Sequence, residues 1–319
     1  MVIKIKNYLS LVKFSHTIFA MPFAFIGFFL GVVYLHNPFV FVPELHSPLL
    51  PSEFPAVDIS LSTTAYIIRF ICVIFCMIFA RSAAMAFNRW LDKKFDSLNP
   101  RTAIREIPSG IITAKNAMAF VVINCVAFVV CTYFINPVCL YLSPVALFVI
   151  LFYSYTKRFT PLCHLVLGLG LSLAPIGAYL AVTGKFDLLP ILFSFTVLFW
   201  VSGFDIIYAL QDEEFDKANN LYSIPAVLGK AKALRVSEFL HLLSLACVIT
   251  AGVYGHFSWL YWMGVLFFGG MLIYQHSLVK PNDLSKINIA FMTANGIASV
   301  IFAIFVLLDL FITKIKIPN

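Results

Sequence analysis

Long unbroken runs of apolar residues are the feature that most constrains what this chain can fold into. Nine runs can be marked along its 319 residues, and each is close to the roughly 20 residues that a helix needs to cross a bilayer. Hydrophobicity does not alternate at every second residue within them, which excludes an outer-membrane barrel. We therefore predict an all-α integral membrane bundle of nine transmembrane helices. The predicted spans cover residues 14–35, 63–87, 113–135, 138–155, 162–182, 188–210, 236–254, 259–279 and 287–312.

Composition agrees with a chain that is embedded in lipid. Hydrophobic residues make up 61% of it and charged residues only 12%, whereas a soluble domain carries about 25% charge. The spans leave no room for a large soluble domain, so residues 1–319 are expected to form a single polytopic membrane domain. The seven cysteines are scattered singly, without the clustering of a zinc site. The net charge of +7 lies in the loops, where topology explains it better than binding to nucleic acid.

The basic residues predict the orientation of the bundle. If the amino terminus and the loops after spans two, four, six and eight share one side, 18 of the 22 Lys and Arg residues lie on that side. The positive-inside rule then places this side in the cytoplasm. The four basic residues on the other side are Arg69, Lys185, Lys314 and Lys316.

Acidic residues are concentrated in two of these loops. Of 15 carboxylates in the chain, eight lie in or beside the loops after spans two and six. Four spans separate the two loops, so both are predicted to open on the same membrane face and can form one site. The eight residues are Asp92, Asp96, Glu106, Asp205, Asp212, Glu213, Glu214 and Asp216.

Helical spacing groups these acids into two stripes, because residues three or four apart share a helix face. The first stripe consists of Asn88, Asp92 and Asp96. The second consists of Asp205, Tyr208, Asp212 and Asp216. Two facing carboxylate stripes repel each other unless a cation lies between them. Oxygen ligands without histidine or cysteine favour Mg²⁺ over zinc, so we predict a magnesium site.

The basic residues around the stripes indicate a phosphorylated substrate. Magnesium that is held by a few carboxylates usually completes its shell with water and substrate phosphates, and guanidinium groups suit phosphate oxygens. Arg81 precedes Asn88 by seven residues on the same predicted face and is expected to approach a diphosphate. The other basic residues beside the stripes are Arg89, Lys93, Lys94, Arg101, Arg105, Lys157, Arg158 and Lys217.

The motifs themselves resemble those of a known family. The stretches NRWLDKKFDSLNPRTAIREIPSG (88–110) and DIIYALQDEEFDKANNLYSIPAVLG (205–229) are similar to the two aspartate-rich motifs of UbiA-type membrane prenyltransferases. YTKRFT (155–160) resembles the basic motif between them. The order, separation and nine-span layout extend the resemblance over nearly the whole chain. It implies transfer of a polyprenyl group from polyprenyl diphosphate to an aromatic acid, with Mg²⁺ as cofactor, in quinone biosynthesis at the bacterial inner membrane.

The resemblance also implies roles for individual residues. One Mg²⁺ would be held by Asn88, Asp92 and Asp96, and the other by Asp205, Asp212 and Asp216. The implied catalytic residues are Asp92, Asp96, Asp212, Asp216 and Tyr208, of which the tyrosine could equally be a packing residue. Arg105, Lys157 and Arg158 would then bind the diphosphate. Three further substrate-binding candidates rest on position alone: Arg81 and Arg89 beside the first stripe, and His16 near the cytoplasmic end of span one, which would contact the acceptor carboxylate or simply lie at the membrane interface.

The acceptor is left open between two aromatic acids. A 4-hydroxybenzoate-like acceptor, as in ubiquinone biosynthesis, is the first expectation. Many relatives have an aspartate directly after the motif asparagine, whereas this chain has Arg89. That difference, together with the opening KFSHTIFAMPFAF (13–25), is similar to relatives that prenylate a naphthoate in menaquinone synthesis.

Three other functions also fit some of these features. Membrane carboxylates occur in ion-coupled transporters, although transporter sites lie near the membrane midplane rather than in loops. The loops could instead form a scaffold for a cytoplasmic partner, without Mg²⁺-dependent turnover. Finally, the same prenyl chemistry could act on a protohaem vinyl group or on chlorophyllide.

Overall fold

The computed structural model describes residues 2–12, 19–36 and 61–314, with side chains described from residue 7 onward. Within these ranges the chain is almost entirely helical and forms no β-strand beyond an isolated bridge between Lys280 and Asp283. The α-helices are α1 (Val2–Leu11), α2 (Met21–His36), α3 (Thr63–Leu91), α4 (Lys93–Leu98), α5 (Ala114–Ile135), α6 (Pro137–Thr156), α7 (Cys163–Thr183), α8 (Leu188–Ala209), α9 (Glu213–Ala218), α10 (Ile224–Leu228), α11 (Lys230–Tyr254), α12 (Trp259–Leu278) and α13 (Asn295–Asp309).

The predicted class, an all-α membrane bundle, is confirmed. Seven helical segments of the described chain are long and apolar enough to cross a membrane. They are Thr63–Leu91, Ala114–Ile135, Pro137–Thr156, Cys163–Thr183, Leu188–Ala218, Lys230–Tyr254 and Ile289–Lys314. The other two predicted spans coincide with α2, an apolar helix of 16 residues, and with α12. Residues 14–18 of the first predicted span, including His16, lie outside the described residues.

Helices α7 and α8 lie at the centre of the bundle, where just over half of each apolar window is buried. Helix α8 packs against α7 and α11, and α2 packs against α7. The main core is aromatic, and its fully buried side chains include Phe193, Trp200, Phe268 and Phe302. The ring centroids of Phe268 and Phe302 are 5.3 Å apart. Burial of this many large side chains fixes α8 in relation to its neighbours.

Close helix contacts at α7 depend on glycine. A Cβ atom at Gly168 would lie 2.4 Å from the carbonyl oxygen of Leu198 in α8, and one at Gly27 would lie 2.0 Å from that of Pro175. Small residues let transmembrane backbones approach this closely. The first half of α7 therefore lies close to α8 about two turns before the second acidic stripe begins at Asp205.

Both acidic stretches lie where a long helix is interrupted. Helix α3 ends at Leu91, Asp92 connects it to α4, and the backbone of Asp92 has φ −90° and ψ 6°. Helix α8 ends at Ala209 and continues through a 3₁₀ turn at Leu210–Asp212 into α9. We call the end of the bundle that carries both interruptions the motif end.

Candidate active site

The two acidic stretches are in direct contact at the motif end through Arg101. Its Nη2 donates hydrogen bonds to both carboxylate oxygens of Asp212, at 2.8 and 2.6 Å, and its Nη1 donates to the Tyr208 hydroxyl at 3.3 Å. The Asn99 amide also reaches Asp212, at 3.5 Å. The loop after α4 and the loop after α8 therefore form one site, as the even number of intervening spans predicts.

The first stretch brings Asn88 and Asp92 together. The Asn88 amide donates to Asp92 Oδ2 at 3.2 Å, and Arg158 Nη2 donates to Asp92 Oδ1 at 2.7 Å. Burial raises the pKa of the Asp92 carboxyl above its usual value, although the positive charge of Arg158 opposes this shift. Arg158 follows α6, so Asp92 joins the ends of α3 and α6.

The Asp96 carboxylate does not join the hydrogen-bonded pair of Asn88 and Asp92. Its side chain is buried, and Arg105 Nη1 donates to its two oxygens at 2.8 and 3.0 Å. The expectation that the three residues form one continuous stripe assumed an unbroken helix. Helix α3 ends at Leu91 and α4 begins at Lys93, so the three residues lie on two helical segments rather than on one.

The second stretch is divided in the same way. Asp205 accepts a hydrogen bond from His164 Nδ1, with the two atoms 2.7 Å apart. Asp216, on α9, is fully buried, lies 2.7 Å from Lys157 Nζ and accepts from the Ser223 hydroxyl at 2.9 Å. Burial disfavours the charged form of Lys157 and by itself would lower its pKa. The neighbouring Asp216 carboxylate outweighs this effect, so the pKa of the ammonium group lies above its usual value.

A cavity of about 230 Å³ lies between these groups. Its polar wall contains four of the predicted metal ligands, together with Tyr208 and several basic residues. The other two predicted ligands, Asp96 and Asp216, do not line the cavity. Its apolar wall includes Phe19, Phe204 and Phe291. The amide, carboxylate and basic side chains of the wall are those of Asn88, Asp92, Asp205, Asp212, Arg81, Arg89, Arg105, Lys157 and His164, and its hydroxyl groups are those of Tyr153, Ser154 and Tyr208.

An apolar groove of about 310 Å³ adjoins this cavity. It runs between α3, α5, α6 and α7, and its edge includes the exposed side chains of Val145 and Phe186. The groove and the cavity share four lining residues, Arg81, Tyr153, Leu167 and Leu171. A ligand with a polar head and a long apolar tail can therefore occupy both spaces at once.

Arg81 lies at the junction of the cavity and the groove. Its Nε atom is buried and has no hydrogen-bond partner among the described residues. An unpaired buried donor is costly unless a ligand satisfies it. This position supports the expectation that Arg81 meets an anionic substrate group.

The guanidinium group of Arg89 is paired within the protein. Its side chain is only 3% exposed and forms an ion pair with Glu106. It borders the cavity, but its charge is already matched within the protein. His16, the residue predicted to contact the acceptor carboxylate, lies outside the described residues.

Two long-range pairs of the site could not be predicted from the motifs. His164 contacts Asp205 across 41 positions of sequence, and Arg101 contacts Asp212 across 111. Neither spacing carries a helical period, so no local pattern predicts these pairs. The membrane position of His164 was its only signal, since a polar residue inside a span usually has a partner.

The oxygen-rich lining has the chemistry of a hard-cation site. Among the residues that the structure describes, no three His, Cys, Asp or Glu side chains converge on one point as a ready-made metal centre. The donors that border the cavity are instead an amide and three carboxylates, Asn88, Asp92, Asp205 and Asp212. Mg²⁺ commonly binds to one or two carboxylates plus water and substrate phosphates, so this donor set fits it.

The structure is thus a helical membrane protein whose cavity, lined by acids and bases, lies beside an apolar groove and fits an amphiphilic, anionic ligand. The chain belongs to the UbiA prenyltransferase family, whose model matches residues 56–297. It is therefore a prenyltransferase. It is 30% identical over 223 residues to the 4-hydroxybenzoate octaprenyltransferase of Tolumonas auensis, covering 70% of this chain and 78% of that protein. It is also 30% identical over 228 residues to the same enzyme of Francisella tularensis subsp. mediasiatica, covering 71% and 80%.

Solved structures show the same fold. A UbiA homologue from Aeropyrum pernix K1 aligns with a TM-score of 0.71 at 25% identity, covering 94% of this chain and 98% of that one. A UbiA homologue from Archaeoglobus fulgidus bound to GPP and Mg²⁺ aligns with a TM-score of 0.64 at 17% identity, covering 95% and 99%. The predicted family and fold are thus confirmed.

Proposed function

We propose that this enzyme transfers a polyprenyl group from polyprenyl diphosphate to an aromatic acid of the 4-hydroxybenzoate type, with Mg²⁺ as cofactor. The observation that carries the proposal is the continuity of the acid-lined cavity with the apolar groove at Arg81 and Tyr153. The cavity suits a diphosphate with its metal ions, and the groove suits an isoprenoid chain. The names of the relatives from Tolumonas and Francisella support the aromatic acid.

We assign the metal site to the oxygens that border the cavity, namely those of Asn88, Asp92, Asp205 and Asp212. Bound Mg²⁺ would act as a Lewis acid that neutralises the departing diphosphate as the allylic C–O bond lengthens. The sequence resemblance gives the same role to Asp96 and Asp216. In our proposal these two carboxylates instead hold Arg105 and Lys157 in position, because each is buried against its cation.

The basic residues of the site would bind the diphosphate oxygens. Arg105 and Lys157 border the cavity, and Arg158 and Arg101 reach its acids from outside. Arg81 lies where the diphosphate would meet the prenyl chain, so it would donate to the oxygens next to the reacting carbon. Guanidinium groups bind such oxygens through paired hydrogen bonds.

Aromatic side chains would protect the allylic cation from water. The Tyr208 ring stacks on Phe291 with centroids 4.2 Å apart, and its hydroxyl accepts from Arg101. Phe19 and Phe204 complete the apolar wall. In this dry space the electron-rich ring of the acceptor would attack the allylic carbon and then lose a proton to restore aromaticity.

A naphthoate acceptor is the second candidate. Arg89, in place of the aspartate of many relatives, supports it, and in the structure Arg89 is paired with Glu106. We further propose that the protein lies in the bacterial inner membrane with the motif end in the cytoplasm. This orientation places most of its Lys and Arg residues on the cytoplasmic side.

The proposal is tested with membranes that contain the protein. They are supplied with polyprenyl diphosphate, Mg²⁺ and either 4-hydroxybenzoate or 1,4-dihydroxy-6-naphthoate, and the lipid extract is analysed by mass spectrometry. A prenylated aromatic acid that is absent from vector-only membranes supports the function, and the arm that yields it identifies the acceptor. If neither acid is prenylated, the aromatic-acid assignment is wrong.

A further inference from the structure

Glu106 connects two helices to the loop after α4. Its Oε2 forms the buried ion pair with Arg89 of α3, and its Oε1 accepts a hydrogen bond of 2.5 Å from the hydroxyl of Ser10 in α1. Its backbone carbonyl accepts from the amide of Ile112 at 2.9 Å. Both carboxylate oxygens and the backbone carbonyl of Glu106 are thus used within the protein rather than on the cavity.

Apolar packing holds this contact together. Leu11, Ala86, Ile107 and Ile112 form one buried cluster around it. On the same side, the rings of Tyr8 and Phe120 are 4.9 Å apart. Helix α1 is therefore packed against the loop rather than projecting from the bundle. A buried ion pair in such a setting is strongly destabilised when one partner is removed, because the other charge remains without compensation.

The loop held in this way carries two guanidinium groups of the site. We call residues 99–110 the arginine segment, since it contains Arg101 and Arg105. Its first part is held by backbone hydrogen bonds from Thr102 and Ala103 to the carbonyl of Asn99. Its second part is held by Glu106, the residue next to Arg105. Movement of Glu106 would therefore displace Arg105 from Asp96 and from the cavity.

We propose that Glu106, held by Arg89 and Ser10, is a positioning residue that sets the arginine segment for diphosphate binding. In this view Arg89 acts through Glu106 and does not contact the substrate. The inference rests on the proposed function, because the diphosphate is the ligand that Arg101 and Arg105 would bind. It also makes helix α1 part of the active-site structure.

The first test measures steady-state kinetics for three variants. Glu106→Gln and Arg89→Glu are each expected to raise the KM for polyprenyl diphosphate about tenfold, with kcat within about threefold of wild type, because uniform substrate binding is weakened. The double variant, Arg89→Glu with Glu106→Arg, is expected to restore KM to within about threefold of wild type. If Arg89 bound the diphosphate directly, the reversed pair would place a carboxylate there and KM would stay high.

The second test is hydrogen–deuterium exchange of the detergent-solubilised protein. Ser10→Ala and Glu106→Gln are expected to increase exchange of backbone amides in residues 99–112 and to leave residues 213–229 unchanged. Ser285→Ala is the matched control, since this hydroxyl also donates to a carboxylate, Asp283, at 2.6 Å, but in an exposed loop. A wild-type KM in Glu106→Gln, together with wild-type exchange in both Ser10→Ala and Glu106→Gln, would overturn the inference. Absence of turnover in the wild-type protein would instead reject the proposed function.

Discussion

At the scale of single residues, the site is built from pairs of acidic and basic side chains. Each motif aspartate has a basic partner, and most of the pairs join different helices or loops. Such matching allows several carboxylates to lie close together inside a membrane protein, because an unpaired charge there is costly. The pairs are Asp92 with Arg158, Asp96 with Arg105, Asp205 with His164, Asp212 with Arg101 and Asp216 with Lys157.

Removal of one carboxylate from either motif is expected to abolish transfer. Asp92→Asn and Asp212→Asn keep the side-chain volume but remove a charge that would bind Mg²⁺, so product formation should fall by on the order of 10²-fold or more. Product is measured in membranes that contain equal amounts of inserted protein. Asp283→Asn, in a loop outside the site, is the matched control and should retain wild-type activity. Full turnover in both site variants, or activity that persists in EDTA, would contradict the metal assignment.

The hydroxyl of Tyr208 is expected to contribute less than its ring. Tyr208→Phe loses the hydrogen bond from Arg101 but keeps the stack on Phe291, so kcat/KM should fall by less than about tenfold. Tyr208→Ala removes both contacts and should fall further. Comparison of kcat/KM for the two variants checks this order, and equal losses would show that the ring has no separate role.

At the scale of helices, the close approach of α7 and α8 positions His164 beside Asp205. Gly168→Leu should push these helices apart and lower the free energy of unfolding by about 1–3 kcal/mol, the usual cost of overpacking. A lower midpoint in thermal unfolding of the solubilised protein would show this. Gly270→Ala is the control, since a Cβ there meets no atom within 4 Å. An unchanged midpoint for Gly168→Leu would mean that the contact is not a constraint.

Helices and their order could be predicted from the sequence because they depend on local hydrophobicity. The run predicted at residues 188–210, for example, coincides with α8, and the two acidic stretches are confirmed to lie at one end of the bundle. The position of Asp96 could not be predicted in this way. It depends on the interruption of α3 at Asp92, which has no glycine or proline to mark it.

Pairings between distant residues were also beyond sequence reasoning. Arg89 follows a motif asparagine and looks like one more base for the diphosphate, yet the fold places Glu106 against it and buries the pair. The choice between a substrate-facing and a buried arginine is made by tertiary packing, here by the cluster around Leu11 and Ile107. Spacing along one helix contains no information on that packing.

For the whole molecule, the apolar groove should control which prenyl chains are accepted. Ala146 of α6 lines the groove, so Ala146→Trp is expected to block it and to raise the KM for long polyprenyl diphosphates about tenfold or more, while geranyl diphosphate remains a substrate. Product yields for the two chain lengths are compared by mass spectrometry. Phe148→Trp, on an exposed face of the same helix, should leave both yields unchanged. An equal loss for both chains would place the isoprenoid elsewhere.

The exposed edge of the groove at Val145 and Phe186 has a practical consequence for purification. A space that accepts an isoprenoid from the side also accepts the alkyl tail of a detergent, so solubilisation itself introduces a competitor. We expect the apparent affinity for polyprenyl diphosphate to weaken as the detergent concentration rises and to recover once the enzyme is returned to lipid nanodiscs. Inhibitor measurements made in micelles would then understate potency against the enzyme in its native bilayer.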